Sequence, residues 1–300
     1  MAKKIKCITV YRQHLSDDNA AQPAGQERLV TKTTYDERFG KVTREEQFGN
    51  DGQLEQISEF SYDDQGFMVY ECLKEGDGMV MEEKSFEADD RQRRVREFLH
   101  YADGSRDVIT YTYNDAGLLV RKECVDADEE VEEVQEYFYE GKMLVRETKK
   151  DGDGELTEEK RYAYDGNGLL LEVESIDMEE GTHQRRVYSY NDWGHREASM
   201  LYDESDNLLE RILMDVDDKG RPVKVVEENR QKKNTIHMKY NDTDKVVFQE
   251  EFDHQGQLLN RIERTYDGEG LLISSRVSVN VPVHGISSNY GIRQEYEFYD

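Results

Sequence analysis

The heptapeptide Tyr164-Asp165-Gly166-Asn167-Gly168-Leu169-Leu170 recurs, with drift, along nearly the whole chain, and no other feature restricts the fold as tightly. Close copies are Tyr62-Asp63-Asp64-Gln65-Gly66-Phe67-Met68, Tyr113-Asn114-Asp115-Ala116-Gly117-Leu118-Leu119, Tyr190-Asn191-Asp192-Trp193-Gly194 and Tyr266-Asp267-Gly268-Glu269-Gly270-Leu271-Leu272. Each reads as a reversal between two strands. The aromatic residue ends the incoming strand, Asp or Asn bonds nearby amides through its side chain, and Gly supplies the positive φ of a tight turn.

These strong turns open at Tyr35, Tyr62, Phe86, Tyr113, Tyr139, Tyr164, Tyr190, Val216, Tyr240 and Tyr266, at steps of 24 to 27 residues. Weaker turns lie between them, at Gly49-Asn50-Asp51-Gly52, Glu75-Gly76-Asp77-Gly78, Ala102-Asp103-Gly104, Asp151-Gly152-Asp153-Gly154, Asp203 to Asn207 and Asp253 to Gly256. The repeat is therefore a double hairpin of about 26 residues that reverses about every 13. Period-two alternation supports strands. Ile109, Tyr111 and Tyr113 alternate with Val108, Thr110 and Thr112, and Leu169, Leu171 and Val173 alternate with Leu170, Glu172 and Glu174, which predicts one apolar and one mainly polar face. No window sustains a helical repeat.

The expected fold is all-β, a repetitive antiparallel meander of about 20 strands that curls into a spiral, shell or large barrel, because an open sheet of more than about 10 strands does not stay flat. Residues 1–28 read as an N-terminal capping strand (Ile5 to Tyr11) and a breaker-rich loop (Ser16 to Gln26). Residues 29–275 form the array, and 276–300 an insertion (Pro282 to Gly291) followed by a closing edge strand from Arg293 to Tyr299.

The turn residues, together with Lys160-Arg161-Tyr162-Ala163 ahead of Tyr164, resemble the YD repeat of the RHS family of bacterial proteins, over roughly residues 29 to 275. The resemblance implies a long antiparallel sheet that spirals into a shell. Full-length members carry an Asp- and Pro-containing self-cleavage motif and a toxin after the shell. This chain holds three prolines, Pro23, Pro222 and Pro282, and no Asp-Pro pair, so it reads as a shortened stand-alone relative.

Forty Lys and Arg against 67 Asp and Glu give a net charge of −27, which repels phosphate backbones and anionic membranes. Nucleic acid is not an expected partner, and a basic protein surface is the better complement; self-association of the sheet is a further expectation. Cys7, Cys72 and Cys124 lack the spacing of a disulfide framework or zinc site, and no stretch is apolar enough to span a bilayer or direct secretion. A cytoplasmic protein is the default expectation, and export by a specialised secretion system is compatible with it.

The chemistry of the chain points away from catalysis. There is no nucleophile elbow, phosphate loop or dinucleotide fingerprint, the seven histidines show no ligand spacing, and Asp151 to Glu155 and Asp215 to Gly220 depart from a calcium loop at required positions. No enzyme activity, cofactor or metal is expected. The candidates for partner binding are the features that break the repeat: Trp193, the only tryptophan, within a turn; the acidic run Asp126, Asp128, Glu129, Glu130, Glu132 and Glu133; and His284 and Tyr290 in the insertion. The leading reading is a non-enzymatic scaffold that binds or shields a protein partner. The alternatives are carbohydrate or surface-ligand binding through exposed aromatics, and an accessory role in a toxin or secretion system.

Overall fold

Asp and Asn side chains build the reversals. In the computed structural model, described for residues 3–15, 25–281 and 286–300, Asp165 Oδ1 accepts the backbone N–H groups of Asn167 and Leu169, both at 2.8 Å. The Gly168 N–H donates to the Asp165 carbonyl at 3.0 Å, and Gly168 has a φ of 84°. This is a type I turn closed by a left-handed residue, with the bulge such a turn introduces into the ladder at Ala163/Tyr164. The same pair of side-chain bonds occurs at Asp63, Asp89, Asp217, Asp253 and Asp267. Asn191 and Asn241 make them equally well, so an acceptor oxygen, rather than a charge, is what the turn requires.

The strands so joined are β1 (Ile5–Leu15), β2 (Arg28–Tyr35), β3 (Val42–Phe48), β4 (Leu54–Tyr62), β5 (Met68–Glu75), β6 (Val80–Ala88), β7 (Arg94–His100), β8 (Arg106–Tyr113), β9 (Leu119–Val125), β10 (Val131–Glu140) and β11 (Met143–Asp151). They continue as β12 (Leu156–Tyr164), β13 (Leu170–Asp177), β14 (Thr182–Tyr190), β15 (Arg196–Asp203), β16 (Leu208–Val216), β17 (Pro222–Asn229), β18 (Lys233–Tyr240), β19 (Val246–Phe252), β20 (Leu258–Tyr266), β21 (Leu272–Val281) and β22 (Ile286–Phe298). All 22 belong to one antiparallel meander sheet, so the all-β expectation and its strand count hold. Residues 1–83 and 235–300 form one compact unit and residues 84–234 a second.

In the first unit β1 pairs with β2 on one side and with β22 on the other, so the topology closes like that of a barrel. The last strand, expected to close or edge the array, is thus a closing strand paired on both sides. Of the expected insertion, residues 282–285 lie outside the described residues, and Ile286 to Gly291 extend β22 and pair with β21. Tyr299 completes this seam by donating its hydroxyl to the Tyr35 carbonyl at 2.5 Å. Most of loop Ser16 to Gln26 lies outside the described residues.

In the second unit β7 to β17 pair each with the next. One strong turn is displaced from its expected place: the reversal is at Asp89 to Gln92, while Phe86 is a buried strand residue 5% exposed. Ala88 fills the position that Tyr takes elsewhere. Three further weak turns, at Asp126, Asp177 and Asn229, lay unrecognised in the sequence.

The strong-turn tyrosines tie successive repeats together. Tyr164 donates its hydroxyl to the Leu144 carbonyl at 2.9 Å, and Tyr139, Tyr190 and Tyr266 reach Leu119, Leu170 and Val246 in the same way. Each acceptor is the first or second residue of the strand that precedes the tyrosine's own. Cations just after the left-handed turn residue, Gly40 or Asp244, add a second tie: Lys41 stands over the ring of Tyr62 and Lys245 over that of Tyr266, both at 5.2 Å.

In β13 the expected separation into apolar and polar faces is not observed. Leu171 is 39% exposed, whereas Glu172 and Glu174 opposite it in the alternation are half-buried. Ion pairing across strands is the reason. Arg161 joins Glu159 at 2.9 Å and Glu174 at 3.0 Å, Glu174 accepts from His183 at 2.8 Å, and Arg185 meets Glu172 at 3.2 Å. The methylene stems of these pairs cover the sheet as apolar side chains would. Among the described residues only Cys7, Ile57, Cys72, Phe86, Phe98, Val134, Ala198 and Val277 are buried apolar groups, so ladder, turns and charge rows hold the sheet together.

Removing one hydroxyl tests the inter-repeat tie: Tyr164→Phe is expected to cost about 1 kcal/mol in chemical denaturation. A second prediction concerns acid. Hydrogen bonds from the Arg221 guanidinium, foremost among the causes, hold the Asp217 carboxyl at about 2, below the roughly 3.9 of an unfolded chain. A depressed folded value stabilises above the unfolded pKa and loses that effect as pH falls through the folded one. Asp217→Asn keeps the turn acceptor but not the ion pair. It should therefore melt below wild type at pH 7, with the gap closing between about pH 4 and pH 2 in thermal circular dichroism.

Candidate functional site

The turn Asn191-Asp192-Trp193-Gly194 joins β14 to β15 and is closed as the others are. Asn191 Oδ1 accepts from Trp193 N at 3.1 Å and His195 N at 2.9 Å, and Gly194 has a φ of 79°. The third turn position makes no demand on its side chain: Gln65, Asn167, Lys219, Thr243 and Glu269 hold it in other repeats. Trp193 is there 81% exposed. Packing of the indole over the adjacent hairpin, the ordinary fate of a tryptophan, is thereby excluded.

The magnitude matters. Burying a tryptophan removes about 200 Å² from water, so leaving it exposed forgoes roughly 3 to 5 kcal/mol. Whatever covers the ring recovers that energy. Beside it, between this turn and the turn at Asp165, opens a cleft of about 720 Å³ with Leu169, Leu171, Tyr188 and Tyr190 on its walls. Tyr190 is fixed by its bond to the Leu170 carbonyl at 2.7 Å, and Arg196 stands 5.1 Å over the Tyr188 ring.

Carboxylates border the aromatic wall. Backbone hydrogen bonds, from Leu169 foremost, hold Asp165 below the usual carboxylate range, so it is charged at neutral pH. Asp192 lies exposed beside Trp193. An exposed ring with carboxylates at its edge attracts cations and amphipathic groups. No cluster of potential metal ligands occurs among the described residues.

The acidic run is a turn followed by a strand. Asp126 Oδ1 accepts from the N–H groups of Asp128 at 2.9 Å and Glu130 at 2.8 Å, and Glu129, with a φ of 67°, takes the position glycine holds elsewhere. Glu133 is spent on Lys149 at 2.8 Å. Glu132 lies 3.7 Å from the Cys124 thiol, which burial and then Glu132 push up to about 11. Asp128, Glu129, Glu130 and Glu132 are left exposed. This turn belongs to the opposite strand ends from Trp193, so the fold does not bring the two candidates together. Tyr290 lies on β22 beneath the Arg12 guanidinium at 4.0 Å, and His284 lies outside the described residues.

Residues 82–229 match a family model described as an uncharacterised protein, and no curated protein matches the chain. A porin-like protein from Bacteroides uniformis is similar over 99% of this chain and 98% of its own, at 9% identity and a TM-score of 0.32. TcdB2-TccC3-Cdc42 is similar over 98% of this chain at 10% identity and a TM-score of 0.31, and TcdB2-TccC3 without its hypervariable C-terminal region over 92% at 12% identity and 0.32. The chain spans 21% and 19% of those two chains. No helix is long and apolar enough to cross a membrane, a statement that does not extend to strands.

Glu129 separates structural from binding roles within the acidic run. Glu129→Gly removes a side chain from a left-handed position and should stabilise the protein by about 1 kcal/mol, while Gly168→Ala should destabilise it by a similar amount, both read by chemical denaturation.

Proposed function

We propose that this chain is a non-catalytic β-scaffold that recognises a basic protein partner at the Trp193 cleft. A lysine or arginine side chain of that partner lies on the indole, within reach of Asp165 and Asp192. The single observation that carries the reading is the 81% exposure of Trp193 in a turn position that any polar residue fills. The turn series, which resembles the YD repeat, supports a repeat scaffold that presents variable residues at its reversals. The net charge of −27 supports a cationic partner, whose approach it accelerates at low salt.

Because Trp193 is the only tryptophan, its fluorescence reports on this cleft alone. Titration with an arginine- and lysine-rich peptide is expected to shift or quench the emission, less so in Asp165→Asn/Asp192→Asn and less again as salt shortens the Debye length to about 3 Å at 1 M. Asn at 165 preserves the turn, as Asn191 does. Unchanged emission with the peptide would refute the proposal. The open aromatic wall of Tyr188 and Trp193 also favours a second reading, a sugar stacked on these rings. A fluorescence response to an oligosaccharide, with none to the peptide, would select it.

A further inference from the structure

Two pairs of arginines face each other directly across neighbouring strands among the described pairings: Arg146 opposite Arg161, and Arg12 opposite Arg28. Like charges so placed repel. At the first pair a carboxylate resolves the conflict. Glu159, whose side chain is 6% exposed, accepts from Arg146 Nε at 2.6 Å and Arg161 Nη2 at 2.9 Å. Burial opposes its charge, yet the two guanidiniums hold the carboxyl below its ordinary range.

The second pair has no such counterpart among the described residues. Arg12 rests on the Tyr290 ring, and Arg28 spends Nη1 on the Asn50 carbonyl at 2.7 Å. Neither makes an ion pair among the described residues, in a chain with 67 carboxylates for 40 lysines and arginines. Instead a cleft of about 630 Å³ opens at these arginines, with Phe48 among its lining residues. His14, two residues along β1 and therefore on the same face as Arg12, lines it as well. Among the described residues Glu55 is the one carboxylate on the lining.

We propose that this cleft binds a small organic anion. Its carboxylate or phosphate group lies between the guanidiniums of Arg12 and Arg28, as Glu159 lies between Arg146 and Arg161, and its apolar body rests on Phe48. Guanidinium forks match both oxyanions, and the cleft falls within the roughly 300–1,000 Å³ of ordinary small-molecule sites. Glu55 sets the cleft against polyanions. The site is independent of the Trp193 cleft and of the function proposed for it.

Isothermal titration of the full chain with inorganic phosphate, phenyl phosphate and benzoate tests the assignment. At least one aromatic anion is expected to bind about tenfold more tightly than inorganic phosphate, with phenyl phosphate leading for a phosphate site and benzoate for a carboxylate site. Arg12→Gln or Arg28→Gln should weaken that binding about tenfold, whereas Arg38→Gln, at an exposed turn, should leave it unchanged. Arg28→Gln should also melt no lower than wild type without ligand, since it relieves a like-charge contact; this separates lost binding from lost folding. Absence of heat with all three anions at about 10 mM, above the ordinary range of small-molecule affinities, would overturn the proposal. So would binding that both glutamine variants leave intact.

Discussion

A carboxylate or amide oxygen accepting two backbone amides of its own turn is the bond on which the rest of this structure depends. Asp165 to Asn167 and Leu169 is the type example. It satisfies donors that the reversal would otherwise expose and fixes where each strand stops. With a reversal about every 13 residues, register passes from hairpin to hairpin, and the Tyr164 hydroxyl on the Leu144 carbonyl joins one repeat to the next. Ala88 and Val216 break that tyrosine series, and there the turn aspartates are instead clasped by Arg93 and Arg221, both at 2.5 Å.

Rows of opposite charge run across the strands where a second layer of structure would ordinarily pack. Glu59 between Arg44 and Lys74, and Glu136 between Arg121 and Lys150, show the pattern. Individual surface pairs contribute at most about 1 kcal/mol, but each row also shields the ladder beneath it. Among the described residues Trp193 is left exposed and neither Arg12 nor Arg28 makes an ion pair, and both places face open clefts.

Much of this was legible in the residues themselves. The turn chemistry of Asp, Asn and Gly is local, so strand number, antiparallel order and the position of Trp193 within a turn all follow from reading along the chain. The acidic run was misread because Glu129 stands where glycine signals a turn elsewhere, which hid the reversal at Asp126. The alternation of Leu169, Leu171 and Val173 with Glu172 and Glu174 misled as well, since it takes charge for exposure, and cross-strand pairing half-buries those glutamates.

The sequence by itself determined the period, the reversals and the all-β class, because each rests on bonds within five consecutive residues. Only the tertiary structure decided that β1 meets both β2 and β22, that the tyrosine hydroxyls reach carbonyls 20 residues back, and that Arg12 stands opposite Arg28. Those contacts depend on register between strands. Register accumulates from every turn and bulge along the array, so no single stretch of sequence records it.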